Sequence, residues 1–144
     1  MKSFDQLLHA DIADYEGRHD DLIYQAPAFY RLLTHLLDDP RLPRKLRPLV
    51  LAAIAYFILP VDIIPEELEG PYGYVDDIWL CAFVAQRVMQ EIGTQEILET
   101  HWDGEGDVVQ LVEEILNQEN ILSKDQCERV LQYIGYDYQE TGMQ

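Results

Sequence analysis

Four carboxylates lie within or directly after a loop rich in proline and glycine near the middle of the chain: Asp62, Glu66, Asp76 and Asp77. Carboxylate oxygens are the ligands that Mg²⁺ and Ca²⁺ prefer, and a carboxyl group crowded by others can act as a general acid or base. Their spacing matches no EF-hand or other dedicated metal motif. The four residues are therefore candidate ligands of a divalent cation, and metal-dependent catalysis is the chemistry that they would support.

A structural role explains the same carboxylates with fewer assumptions. Asp76 and Asp77 come just before an apolar helical pattern, where a carboxylate accepts backbone N–H groups and interacts favourably with the helix dipole. Asp62 follows Pro60 by two residues, a position where aspartate can form an Asx-turn. We favour capping and turn formation, so no cofactor is expected and no residue is assigned a catalytic role.

A basic cluster holds four of the ten basic residues within seven positions: Arg41, Arg44, Lys45 and Arg47. Cations at the start of a helix oppose its dipole and need compensation. One interpretation is a contact with phosphate or with lipid headgroups, as in basic clusters beside membranes. The interpretation that we favour is ion pairing with acids at the same end of the molecule, namely Asp38, Asp39, Glu91 or Glu96.

The elements that position these two groups are apolar helices predicted over residues 44–59 and 76–92. The first is apolar nearly all round after Arg47, which is typical of the buried centre of a bundle, and Pro60 ends it. If the two helices form an antiparallel hairpin, the carboxylates lie at one end and the basic cluster lies at the other, about 22 Å away.

Apolar residues recur at helical spacing along the rest of the chain, and no stretch alternates as a β-strand does. Asp39-Pro40 is expected to end a helix that begins near Pro27, and Gly93 and Gly135 are expected to end two others. The sequence therefore predicts an all-α fold. It is a single compact bundle of about six or seven helices over residues 1–144, arranged around the central hairpin, with helical extensions at 1–27 and 93–144.

The charge composition of the chain restricts the classes of molecule that it can bind. The chain carries 27 acidic and 10 basic residues, a formal net charge of −17, which repels nucleic acid over most of the surface and favours basic partners. Nucleic-acid binding is therefore not expected. Two cysteines, Cys81 and Cys127, do not make a disulfide scaffold, and a reducing cytosol suits them. The four histidines show no metal-ligand spacing and are expected to be isolated.

The order of motifs in the middle of the chain resembles the YkvA-like family, also known as domain of unknown function 1232. The resemblance covers roughly residues 28–92. The motifs that carry it are Asp39-Pro40-Arg41, then AYFILPVDIIP (residues 55–65), and finally GYVDD (residues 73–77). It implies a helical hairpin and, for many members, membrane association, but no established reaction. Glu66 stands where the family usually has aspartate, and the second helix carries polar residues. Both departures argue against a membrane-spanning hairpin, and no uncharged stretch is long enough to span.

Three functions are compatible with these observations. We favour a non-enzymatic protein-interaction or regulatory module, because no catalytic constellation stands out and the charge suits a basic protein partner. The second is a peripheral membrane protein that uses the hairpin and the basic cluster. The third is a divalent-metal-dependent enzyme that uses the loop carboxylates. The expected location is the cytoplasm, with contact to the membrane surface under the second hypothesis, and the sequence indicates no oligomeric state.

Overall fold

The structure is a computed structural model that describes residues 6, 7, 10, 20–58, 74–117 and 124–135. Every regular element in these ranges is helical, which confirms the all-α prediction. The numbered helices are α1 (Asp20–Ile23), α2 (Ala26–Asp38), α3 (Arg47–Ile58), α4 (Tyr74–Ile92), α5 (Glu96–His101), α6 (Val108–Asn117) and α7 (Lys124–Tyr133). A short 3-10 turn, Arg44–Leu46, leads directly into α3.

Helix α2 forms where the sequence predicts it. Pro27 lies in its first turn, where the missing N–H group is not needed for an intrahelical hydrogen bond. Its apolar residues recur every three or four positions and bury one face, and they include Phe29, Leu32, Leu33 and Leu36. The helix ends at Asp38, because Asp39 precedes a proline and adopts an extended backbone.

The central helix is α4, and not α3 as its apolar composition led us to expect. Helix α4 packs against α1, α2, α3, α5, α6 and α7. Its residues from Asp77 to Ala85 are buried without a break. A 19-residue helix is about 28 Å long, which gives it enough length to contact neighbours on all sides.

Helix α3 has one buried and one exposed face, which corrects the expectation that it is buried all round. The face that packs on α2 and α4 carries Val50, Ala53, Tyr56 and Phe57. On the opposite face Leu51 is 52% exposed and Ile58 is 48% exposed. Among the residues that the structure describes, burial accounts for the apolar residues on one face of α3 and not for Leu51 and Ile58 on the other.

Helices α3 and α4 contact one another, and both contact α2. An ion pair between Lys45 and Glu91 joins the turn before α3 to the last turn of α4. This contact supports the predicted antiparallel hairpin, whose direction otherwise stays a prediction.

The local signals for helix ends are confirmed at two glycines. Gly93 ends α4 with φ of 87° and donates its N–H to the carbonyl of Met89, and Gly135 follows α7 with φ of 81°. In the part of the chain that the structure describes, no helix is both long and apolar enough to cross a membrane.

Candidate functional site

The four loop carboxylates are described only in part. Asp62 and Glu66 lie outside the described residues, and the side chain of Asp76 does too. Asp77 is 8% exposed and lies within the first turns of α4, since that helix begins at Tyr74, earlier than predicted. Among the described side chains, no group of three or more histidines, cysteines or acids could hold a metal ion. The cation site at the four carboxylates stays a prediction.

Asp77 also affects the pKa of a neighbouring thiol, that of Cys81. Cys81, one turn along α4, is fully buried and not in a disulfide. Burial raises the pKa of this thiol well above its ordinary value, and the nearby charge of Asp77 raises it further. A thiol in this state is unreactive, so Cys81 packs in the core as the sequence predicts.

Three members of the basic cluster have partners within the molecule. Arg41 pairs with Asp39, and Lys45 pairs with Glu91, both of which were predicted acidic partners. Arg47 donates Nη1–H to the carbonyl oxygen of Leu37 at 2.9 Å, which joins the start of α3 to the end of α2. Arg44 and Arg47 are exposed at the start of α3.

Asp39 is a buried carboxylate that is hydrogen-bonded to two side chains, Arg41 and His101. It accepts hydrogen bonds from Arg41 through the backbone N–H at 2.8 Å, Nε at 3.0 Å and Nη2 at 2.8 Å. His101 donates Nε2–H to Oδ2 at 2.7 Å from the end of α5. The Arg41 hydrogen bond holds the pKa of Asp39 well below its usual range, although burial opposes this. So acidic a carboxyl group is a poor general base at neutral pH, and its role is structural.

No sequence pattern predicts the contact between Asp39 and His101, because the two residues are 62 positions apart. His35 lies beside His101, with the ring centroids 5.8 Å apart. The expectation that the histidines are isolated is therefore wrong for this pair.

A second network fixes the segment after α5 on α2. Arg31 donates to both carboxylate oxygens of Asp103, at 2.7 Å and 2.9 Å, and this pairing lowers the pKa of Asp103. The Trp102 ring packs on Phe29 with centroids 5.1 Å apart. Gly104 lies against the indole, where a Cβ atom would overlap the ring. These contacts hold the segment in place on α2.

Two surface depressions accompany these elements. A cleft of about 350 Å³ lies between the start of α2 and residues 104–105, and its lining includes Tyr24, Gln25 and Arg31. A groove of about 230 Å³ lies between the start of α3 and the end of α7, and it is lined by Leu46, Leu49, Ala52 and Ile134 among others. The second groove adjoins the exposed face of α3 through Pro48.

The exposed side of α3 carries two large apolar side chains, Leu51 and Ile58. We define the α3 outer face as Pro48, Leu51, Ala55 and Ile58, all of them exposed. Residues 44–58 contain no acid, although the chain has 27, and each of the other described α-helices contains at least one. The α3 outer face is thus an apolar strip that begins beside two exposed arginines.

Comparison with known proteins gives the family. A family model described as "Protein of unknown function (DUF1232)" matches residues 47–83. A relative from Methanothermobacter thermautotrophicus, called uncharacterized protein ORF9, is 30% identical over 132 residues, which are 92% of this chain and 90% of the relative. The chain belongs to the DUF1232 family.

The DUF1232 match confirms the resemblance seen in the loop and helix motifs. It runs from the first residue of α3 to Phe83 within α4. The α3 outer face therefore lies inside the segment that defines DUF1232, whereas His101 and Asp103 lie outside it. No solved structure matches the chain.

Proposed function

We propose that this DUF1232 protein is a non-enzymatic interaction module that binds a protein partner through the α3 outer face. The observation that carries the proposal is the exposure of Leu51 and Ile58, about half of each side chain, on a helix without acids. Full burial of such a side chain contributes about 1.5–3 kcal/mol, so roughly half of that gain per residue is still available on binding.

The polar networks support a binding function over a catalytic one. Both oxygens of Asp39 and both oxygens of Asp103 accept hydrogen bonds from arginine. Arginine pairing keeps these carboxylates ionised and fixed in place, which suits structural joints between α2 and the segment around α5. Asp39 and Asp103 thus stabilise the scaffold, which supports the apolar face of α3 as the binding surface.

The sequence suggested a basic partner, which suits the acidic helices α5 and α6, where Glu96, Glu99, Glu113 and Glu114 are exposed. The α3 outer face suits a different chemistry, because its neighbouring charges are those of Arg44 and Arg47. A partner bound there must offer apolar side chains and must not be basic at that end.

The test is partner capture by chemical crosslinking in cells, with the full chain and a double variant, Leu51→Glu with Ile58→Glu. We expect one or more proteins crosslinked to the wild type to be lost from the double variant, since glutamate removes the apolar contact and adds charge. A matched control, Gln90→Glu with Gln132→Glu, adds the same charge at exposed positions on α4 and α7 and should retain them. Equal capture by all three proteins would refute the proposal.

A second candidate is binding to an anionic membrane surface, which the exposed Arg44 and Arg47 beside Leu51 and Ile58 favour. Flotation with vesicles of phosphatidylcholine and phosphatidylglycerol at low salt tests it. Binding that both Leu51→Glu and Arg44→Glu weaken would support the membrane. No vesicle-bound fraction would exclude it and leave the protein partner.

A further inference from the structure

We infer that the partner element that occupies the α3 outer face is an amphipathic α-helix of another protein, with acidic residues flanking its apolar seam at one end. This inference rests on the proposed function and names the chemistry of the partner. It follows from the spacing of the exposed residues, from their sizes and from the charges at the start of α3.

The spacing of the exposed residues is that of a helix-packing seam. Pro48, Leu51, Ala55 and Ile58 are separated by three, four and three residues. This is the alternation by which one helix presents a continuous strip to another in a left-handed pair. The strip is about 15 Å long, which corresponds to three turns of a partner helix. An extended peptide, with its two-residue period, would not match it.

The sizes along the strip provide places for side chains of a partner. Ala55 is a small residue between Leu51 and Ile58, which are large and about half exposed. A small side chain between two large ones leaves a depression that a leucine, isoleucine or methionine from a facing helix can fill. Pro48 continues the strip into the groove that Ala52 and Ile134 line.

The charges at the start of α3 indicate where the acids of the partner lie. Arg44 is exposed, and Arg47 uses Nη1 for the Leu37 carbonyl, which leaves further guanidinium donors directed elsewhere. Carboxylates on a facing helix would form charge-assisted hydrogen bonds here, whereas lysines would be repelled. A second copy of the chain is disfavoured, because each copy carries a net charge of −17.

The experiment measures fluorescence anisotropy of three stapled helical peptides of the same length with the full-length protein. The first has leucine at the seam positions and glutamate on both flanks. The second replaces the flanking glutamates with lysine, and the third replaces the seam leucines with serine. We expect the first peptide to bind at least about tenfold more tightly than the third, and Leu51→Glu with Ile58→Glu to abolish its binding.

The requirement for acidic residues on the partner helix is tested by reversing the charges of Arg44 and Arg47. Arg44→Glu with Arg47→Glu should weaken the glutamate-flanked peptide by at least about fivefold and should strengthen the lysine-flanked one. The inference would be overturned if the wild type bound the lysine-flanked peptide more tightly than the glutamate-flanked one and the Leu51→Glu, Ile58→Glu variant lost this preference. Binding of the glutamate-flanked peptide that no α3 substitution alters would also overturn it.

Two further outcomes separate this inference from the function on which it rests. If no peptide binds while cellular capture still depends on Leu51 and Ile58, the inference fails and the interaction module stands. Sedimentation velocity of the free protein tests whether a second copy of the chain binds the α3 outer face. A concentration-dependent dimer that the substitutions Leu51→Glu and Ile58→Glu dissociate would show that it does, and would overturn the inference of a helix from another protein.

Discussion

At the scale of the residue, Asp39 combines burial with charge. Its side chain is 6% exposed and accepts hydrogen bonds from Arg41 and His101, so it joins the end of α2 to the end of α5. A buried carboxylate is stable only when its oxygens are satisfied, and removing one member of such a group leaves the others without a partner.

Asp39→Asn should therefore lower the free energy of unfolding by about 2 kcal/mol at pH 7, since asparagine replaces a charged acceptor by a neutral amide. Because the pKa of folded Asp39 lies below that of the unfolded chain, its stabilisation is present above about pH 4 and is lost as the pH falls further. Urea titrations at pH 7 and pH 3 measure the difference between wild type and variant, which should shrink at pH 3.

The matched control is Asp125→Asn, which removes an exposed aspartate that pairs with Arg129 across one helical turn. Exposed pairs of this kind contribute little, so the change should stay within about 0.5 kcal/mol. Equal effects at the two positions would show that the Asp39 network does not stabilise the fold.

Two glycines in one loop should respond differently to substitution. Gly104 lacks space, because its Cβ would meet the Trp102 ring and would lie 2.8 Å from Gln25 Oε1. Gly106 has open space but a φ of 75°. Replacing Gly104 by asparagine should cost about 2 kcal/mol, whereas Gly106→Asn should cost well under 1 kcal/mol, since asparagine tolerates this φ. Thermal melts compare them, and the reverse order would contradict the packing of the indole.

At the scale of the element, α3 and α4 show that apolar composition does not by itself determine burial. Both helices are rich in apolar residues, but α4 contacts six other helices and α3 packs mainly on two. The face of α3 that stabilises the fold and the face that we assign to a partner are therefore separable by mutation.

Phe57→Ala should destabilise the protein by about 3–4 kcal/mol, because Phe57 is 3% exposed and its ring packs edge-on against Tyr30 with centroids 5.8 Å apart. Leu51→Ala, on the opposite face, should change stability by less than about 1 kcal/mol. Chemical denaturation gives both values. A loss at Leu51 as large as that at Phe57 would mean that the α3 outer face is covered within the chain.

Most of the features that the sequence predicted have local causes, and the pairing of Lys45 with Glu91 is an exception. The end of α2 at Asp39-Pro40 and the glycines after α4 and α7 depend on the backbone of a few adjacent residues. The pairing of Arg41 with Asp39 is also local. The exposed face of α3, the His101 contact and the Arg31–Asp103 pair depend on which helices pack together, which periodicity does not specify. The cation site at the loop carboxylates stays a prediction, because Asp62 and Glu66 lie outside the described residues.

At the scale of the whole molecule, a net charge of −17 on 144 residues opposes compaction by self-repulsion. Salt screens this repulsion over distances longer than the Debye length, which falls from about 30 Å at 0.01 M to about 8 Å at 0.15 M. Salt also weakens the ion pairs of the described residues, but the 27 acidic residues outnumber the 10 basic ones, so we expect the screening of repulsion to dominate.

The melting temperature should therefore rise by a few degrees, about 3 °C, between 0.01 M and 0.2 M NaCl at pH 7, with little change at higher salt. Glu113→Gln, which neutralises one exposed acid on α6, should raise the melting temperature at 0.01 M but not at 0.2 M. Differential scanning calorimetry measures both. A melting temperature that falls on adding salt would show that ion pairs outweigh the repulsion.

The joints between α2 and the segment after α5 have a consequence for how the chain is made. Arg31 meets a partner 72 positions later, and Asp39 meets His101 after 62 positions. During translation, α2 and Asp39 leave the ribosome well before the segment that supplies Asp103, the partner of Arg31, and His101, a partner of Asp39. Local helices can form early, but α2 cannot complete its native contacts until residue 103 has emerged. Until then Phe29 on the apolar face of α2 lacks the Trp102 ring that packs on it, even after α3 and α4 have emerged, and we expect the nascent chain to bind a chaperone.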